Sequence, residues 1–272
     1  MELIQLQECY LIVSKLLELK NVSLSFGGIR ALNNVNFEIN EHDVVALIGP
    51  NGAGKTSIFN CICGFYKPQE GQIIFKGKDI RGFPPYKTVQ MGIGRGFQNI
   101  ELFSTLSTLD NLLLGRHRHV KTSLLSAMLA LPSWRKNEVE QRKKAEEILD
   151  LLDLQAFRDT PVAALPYGVQ KLIEVARALA VEPELLLLDE PTAGMTAEEK
   201  DEMMFRLLHI RKELGISLLI VEHDLRVVSK LAERIIVLDY GQKIADGEPA
   251  EVQNNPEVIK AYLGQEQLEM AH

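Results

Sequence analysis

The stretch Val44-Val45-Ala46-Leu47-Ile48-Gly49-Pro50-Asn51-Gly52-Ala53-Gly54-Lys55-Thr56-Ser57 decides how the rest of the chain is read. Its first five residues are an unbroken apolar run, the pattern of a parallel strand covered on both faces, and residues 56–63 read as a helix. Between strand and helix, Gly49 to Thr56 fits G-x-x-x-x-G-K-[ST] in full. Glycines let successive backbone N–H groups turn inward, and the start of the helix adds its positive end, so such a loop suits phosphate. Gly49, Pro50, Asn51, Gly52, Ala53 and Gly54 are therefore expected to cradle a nucleotide's phosphates. Lys55 should reach the β- and γ-phosphates, the Thr56 hydroxyl should ligate Mg²⁺, and Ser57 should touch a more distal oxygen. A plain glycine-rich turn would also fit the letters. The strand before it and the helix after it favour the phosphate reading.

Working outward, further buried-strand runs stand at residues 185–188, 217–221 and 234–239, separated by helical passages at 197–214 and 224–232. Towards the N-terminus, 16–24 and 35–39 alternate as strands across Phe26-Gly27-Gly28, and 72–75 adds another. From about 105 to 164 helical periods take over, most clearly at 138–152. The expected fold is α/β: a P-loop NTPase core with a parallel sheet, an N-terminal antiparallel β-subdomain and a helical insertion. The run 185–188 ends in Asp189-Glu190, and adjacent residues at a strand end point different ways. Asp189 is then placed to hold the metal shell, and Glu190 to orient and deprotonate a water facing the γ-phosphate. Capping of the next helix is the simpler alternative for this pair.

Composition sets the outer bounds. The chain has 272 residues, 46% hydrophobic and 25% charged, which excludes disorder and collagen-like repeats. A net charge of −7 argues against nucleic acid, whose binders usually carry a basic face. No apolar stretch approaches the length of a membrane span, and Glu2 and Glu8 stand where a secretory leader would be basic, so a cytosolic chain is expected. Cys9, Cys61 and Cys63 lack zinc spacing and read as reduced, small apolar residues.

With loop and Asp-Glu pair in hand, the sequence resembles the ATP-binding cassette (ABC) family, from about Leu16 to Gly264. Gln98, in Gly94-Arg95-Gly96-Phe97-Gln98-Asn99, looks like the family's Q-loop, which implies both a catalytic and a metal-ligating role. His223, in Val221-Glu222-His223-Asp224, looks like the switch histidine, and Phe26 sits where the family places the aromatic that stacks on adenine. Leu165-Pro166-Tyr167-Gly168-Val169-Gln170 occupies the place of the signature that contacts a partner's ATP. Within the family the chain is similar to the first ATPase subunit of branched-chain amino acid importers. That likeness rests on Phe26-Gly27-Gly28, Leu102-Phe103, Leu165-Pro166-Tyr167-Gly168 and Ala261-Tyr262-Leu263-Gly264. Subunits for urea or amide import and for lipopolysaccharide export share several of these features. A soluble ABC ATPase of DNA repair or translation is the other class, but one phosphate loop and a short insertion argue against it.

The resemblance implies an ATPase with ATP and Mg²⁺ as cofactors, transmembrane permease subunits and a second ABC ATPase as partners, and a peripheral place on the cytoplasmic side of the inner membrane. It implies an ABC domain at 16–264, with a nucleotide-binding core at 16–104 and 165–264 and a helical part at 105–164, between an extension at 1–15 and a tail at 265–272. Two departures stand out: Pro166 replaces the serine of the usual Leu-Ser-Gly-Gly-Gln signature, and Thr196 stands where Asp or Asn is common. Taken singly, Phe26 could brace a hairpin, Gln98 could be merely solvated, and His223 could be a core or helix-start histidine. The basic run Arg116-His117-Arg118-His119-Val120-Lys121 reads either as a solvated helix face or as a contact for a partner or anionic lipid.

Overall fold

The computed structural model describes residues 14–96, 100–119 and 132–269. Expectations placed on Cys9, Gln98, Val120 and Lys121 lie outside those residues.

Strand alternation builds the first sheet. β1 (Lys15–Phe26) turns at Gly27-Gly28 into β2 (Ile29–Asn40), antiparallel, with Phe26 opposite Ile29. β3 (Val44–Ile48) then runs into the loop and α1 (Lys55–Ile62), after which β4 (Glu70–Phe75) and β5 (Lys78–Asp79) join β1 to give the order β2-β1-β4-β5. α2 (Pro85–Gln90) leads to β6 (Ile93–Gly96). The helical part follows, with α3 (Thr108–Gly115), α4 (Pro132–Leu151) and α5 (Tyr167–Leu179). β7 (Leu185–Asp189), α6 (Ala197–Leu214), β8 (Ser217–Val221), α7 (Leu225–Leu231) and β9 (Arg234–Asp239) alternate as a parallel fold requires. β10 (Gln242–Gly247), α8 (Pro249–Gln253) and α9 (Pro256–Glu269) complete the described chain.

The second sheet has the order β10-β9-β3-β8-β7-β6, with β9, β3, β8, β7 and β6 parallel and β10 antiparallel on the edge. Its central strands are apolar throughout because each face has its own cover. Leu185, Leu187, Leu219 and Val221 join the core shared with the first sheet and α1. Their neighbours Leu186, Leu188, Leu218 and Ile220 join the core under α3, α4, α5 and α6. A period of two thus disappears from the hydrophobic pattern while persisting in the packing.

Cys61 and Cys63 are buried and unbridged, and burial pushes their thiols up to about 12 and about 11 respectively, the form expected of inert core residues. At its first residue the basic run after α3 departs from both readings given to it above, while His117 is exposed. Arg116 is only 2% exposed: its Nε donates to Gln141 Oε1 at 2.8 Å, and Nη1 and Nη2 donate to the Ala180 carbonyl at 3.2 Å and Glu182 Oε1 at 3.1 Å. Arg118 donates to the Val89 carbonyl. Arg116 therefore braces α4 against the chain that leads into β7, neither solvated nor presented to a partner. Arg116→Met keeps the stem and removes the charged hydrogen bonds, so it is expected to lower unfolding free energy by about 2–4 kcal/mol. Chemical denaturation reads this as an earlier midpoint; an unchanged midpoint would return Arg116 to the surface.

Candidate nucleotide site

The parallel register brings three strand ends to one edge. Asp189 pairs with Val221, Leu47 with Val221, and Ile48 with Val237, so the loop after β3, the Asp-Glu pair after β7 and Glu222-His223 after β8 lie side by side. Open α/β sheets bind ligands at the carboxyl ends of their strands.

Backbone geometry makes the loop. Gly49 has φ +147°, and a Cβ there would stand 2.1 Å from the Leu238 carbonyl oxygen; Gly54 has φ +105° and a Cβ would meet the Ala31 oxygen at 2.8 Å. Only glycine fits either position. The β9–β10 turn holds the loop from outside, since the Gly241 N–H donates to the Ala53 carbonyl at 2.9 Å. Gly54 caps α1 with no side-chain hydrogen bond and no acidic residue follows in the first turn. The helix start thus keeps its N–H groups and positive end for an anion, whereas α6 satisfies its own start with a capping box from Thr196 and Glu199. Lys55 Nζ arches back over the loop, 2.7 Å from the Gly49 carbonyl and 2.9 Å from that of Pro50. Burial lowers its pKa, and the nearby Glu190 and Asp189 carboxylates pull the other way. Thr56 is exposed and Ser57 half-buried on the same first turn.

Asp189 is 4% exposed, and its Oδ2 stands 3.4 Å from the Arg95 guanidinium. Burial raises its pKa, opposed by Arg95 and reinforced by the adjacent Glu190. Glu190 adopts φ +50° and donates its N–H to the Val221 carbonyl at 2.9 Å, which turns its side chain away from the strand and out of the core. Glu190 Oε1 lies 3.8 Å from His223 Nδ1, with the histidine 62% and the glutamate 21% exposed. His223 is neither a core residue nor a helix cap; Asp224 caps α7, accepting from the Arg226 N–H at 3.0 Å. Nor does either member of the Asp-Glu pair cap a helix, since Thr196 starts α6.

The signature segment precedes α5. Pro166 is its N-cap, Leu165 is buried, and the Gln170 side chain donates to the Leu165 carbonyl at 2.8 Å. A Cβ at Gly168 would meet the movable end of the Glu199 side chain, Oε1 at 2.8 Å, and the Tyr167 ring lies over Gly194. Val169 is half-buried against the helical core. The unusual Thr196 has a local use: its hydroxyl accepts from the Glu199 N–H at 3.3 Å. Phe26 stands half-exposed at the end of β1, opposite Ile29 of its own hairpin and edge-on to Tyr66 of the segment after α1, with ring centroids 5.0 Å apart. Two elements escaped sequence reasoning. Arg95 faces Asp189, and buried Glu222 accepts from the Thr192 N–H and hydroxyl at 3.1 and 2.6 Å, tying the β7 and β8 loops together.

The donor set fits Mg²⁺ with a nucleotide, because Mg²⁺ takes one or two protein oxygens and completes its shell with phosphate and water. Thr56 and Asp189 offer those oxygens, and Lys55 with the uncapped start of α1 offers the charge that phosphates need.

An ABC transporter family model matches residues 32–193, and a second, described as branched-chain amino acid ATP-binding cassette transporter, matches 242–267. The chain is 39% identical over 250 residues to the high-affinity branched-chain amino acid transport ATP-binding proteins BraF of Pseudomonas aeruginosa and LivG of Escherichia coli K12, covering 92% of this chain and 98% of each relative. A crystal structure of the ADP conformation of an ATP-binding cassette from an ABC transporter superposes with a TM-score of 0.81 at 34% identity, covering 92% of this chain and 99% of that one. This chain belongs to the ABC transporter family and is an ATP-hydrolysing cassette with the P-loop NTPase α/β fold.

Proposed function

We propose that this chain is the ATPase subunit that powers import of branched-chain amino acids through separate permease subunits, from a peripheral position on the cytoplasmic face of the membrane. The observation that carries the chemistry is the convergence of Lys55, Asp189, Glu190 and His223 at one sheet edge. The cargo rests on the C-terminal match at 242–267 and on relatives that align along nearly their whole length. Among the described residues no helix is long and apolar enough to cross a membrane, so the path for cargo is assigned to other chains.

In this reading Gly49 to Gly54 wrap the phosphates, Lys55 holds the β- and γ-phosphates, and Thr56 and Asp189 ligate Mg²⁺, with Ser57 on a distal oxygen. Glu190 positions and deprotonates the attacking water, and His223 steadies the γ-phosphate side of the site. Gln98 is proposed to join both tasks from the loop after β6. Phe26 stacks on the base. Residues 165–170, at the start of α5, complete the site of a second cassette, either a copy of this chain or a related one. Residues 16–104 and 165–264 act as the nucleotide-binding core, and 105–164 as the helical part facing the permeases.

Proteoliposomes that combine this chain with its two permeases, a second cassette and a binding protein test the reading. ATP enclosed on the cassette side should drive leucine uptake, and omission of this chain should abolish it. Uptake that persists without the chain would contradict the assignment, as would ATP-driven uptake of urea in place of leucine.

A further inference from the structure

Between the strands that deliver Glu190 and His223, one buried carboxylate holds two loops in place. Glu222 is 1% exposed. Its Oε1 accepts from the Thr192 N–H at 3.1 Å and from the Thr192 hydroxyl at 2.6 Å, and its Oε2 accepts from the His223 N–H at 3.3 Å. Burying a carboxylate is costly unless donors are aimed at it, so three donors on one group fix its place. Thr192 is itself 1% exposed and lies inside a turn that the Ala193 N–H closes on the Glu190 carbonyl at 3.1 Å. Holding Thr192 therefore holds the backbone of Glu190.

A second bridge runs beside the first. Asp224 Oδ2 accepts from Lys200 Nζ of α6 at 2.8 Å, while its Oδ1 caps α7. The residues on either side of His223 are thus anchored to the chain that follows Glu190, and the 62%-exposed imidazole stands between them with Nδ1 3.8 Å from Glu190 Oε1. The bridges differ in kind. Lys200 and Asp224 are partly exposed, where an ion pair contributes little, whereas Glu222 and Thr192 are sealed. We propose that Glu222 is a positioning residue for ATP hydrolysis: its carboxylate binds the turn after Glu190 to the backbone of His223 and so fixes the two side chains against each other. The phosphate loop takes its shape from its own glycines and the β9–β10 turn, so nucleotide binding does not depend on this bridge. The role rests on the reading of Glu190 and His223 as the hydrolytic pair.

Glu222→Gln keeps the shape but offers one acceptor oxygen, so it cannot serve Thr192 and the His223 N–H at once. Misplacing reacting groups by an ångström costs about 10²-fold in rate, so kcat of the full chain with its partner cassette should fall about 10- to 100-fold. KM and the affinity for a fluorescent ATP analogue should stay within about twofold of the wild type, the pattern of an interaction that matters only in the transition state. Thr192→Val removes the hydroxyl at the other end of the bridge and should lower kcat in the same way. Because both act through one contact, the double variant should be no slower than the slower single variant. Arg116→Met is the stability control: it should lower the denaturation midpoint and leave kcat at the wild-type value. Wild-type kcat in Glu222→Gln would overturn the role, as would an ATP affinity that falls in step with kcat or losses that multiply in the double variant. If Glu222→Gln does not fold, Thr192→Val decides alone, and wild-type kcat there would overturn the bridge. Phosphate release that survives Glu190→Gln would instead overturn the site reading beneath it.

Discussion

Lys55→Ala should weaken ATP binding by roughly 30- to 1,000-fold, the equivalent of about 2–4 kcal/mol for a charged contact to phosphate, while the nucleotide-free protein folds as well as before. The asymmetry follows from where the ammonium sits. Burial already lowers its pKa, which means that the folded chain holds this charge at a cost, and its partners are carbonyls of the loop itself. A polyanion that takes over from those carbonyls is the favourable partner. Alanine removes both the cost and the gain, so the unliganded melting temperature should not fall, and the rise normally produced by ATP should largely vanish. Calorimetric titration alongside thermal melts checks both halves. Unchanged affinity would remove Lys55, and with it the loop, from the ATP site.

Glu190→Gln should separate binding from hydrolysis. Phosphoryl transfer depends on positioning and electrostatics, and the loop, Lys55 and the metal ligands can hold ATP without a base. Glu190 caps no helix; its backbone turns to φ +50°, and its side chain stands at the strand edge beside His223. Glutamine preserves the shape and accepts no proton, so turnover should drop by about 10²–10⁴-fold with affinity retained. Unhydrolysed ATP, held between this loop and residues 165–170 of another cassette, should then keep two cassettes together. Light scattering of the variant with Mg·ATP should show the doubled mass; a persistent monomer would assign the second half of the site to a related chain.

The parts of the fold most legible in the sequence were those where local chemistry decides the outcome. β3, β8 and β9 read as apolar runs at their observed boundaries, because strands covered on both faces have no polar side to show. The limits of α6 followed from a threonine that can cap and a glycine at φ +62° that ends it. β6 and β10 were not legible. Ile93-Gly94-Arg95-Gly96 has almost no strand propensity, and polar Gln242–Gly247 is an edge strand, so each owes its conformation to its neighbour's ladder.

In the site, the loop and Asp189-Glu190 were visible because their spacing along the chain is their geometry. Arg116 was misread because a run of basic residues looks solvated until Ala180 and Glu182, more than sixty residues on, close over it. Arg95 and Glu222 stayed silent for the same reason: each works through a partner on a distant strand end or loop.

One measurement bears most directly on the claim that Gly49–Ser57, Asp189 and Glu190 form a single hydrolytic ATP site. Bound ATP and released phosphate are followed in the same sample for the wild type and for Glu190→Gln, each with Mg²⁺ and with the partner cassette present. The variant should carry ATP at the wild-type level and release phosphate at no more than about a hundredth of the wild-type rate. Phosphate release near the wild-type rate would contradict the account.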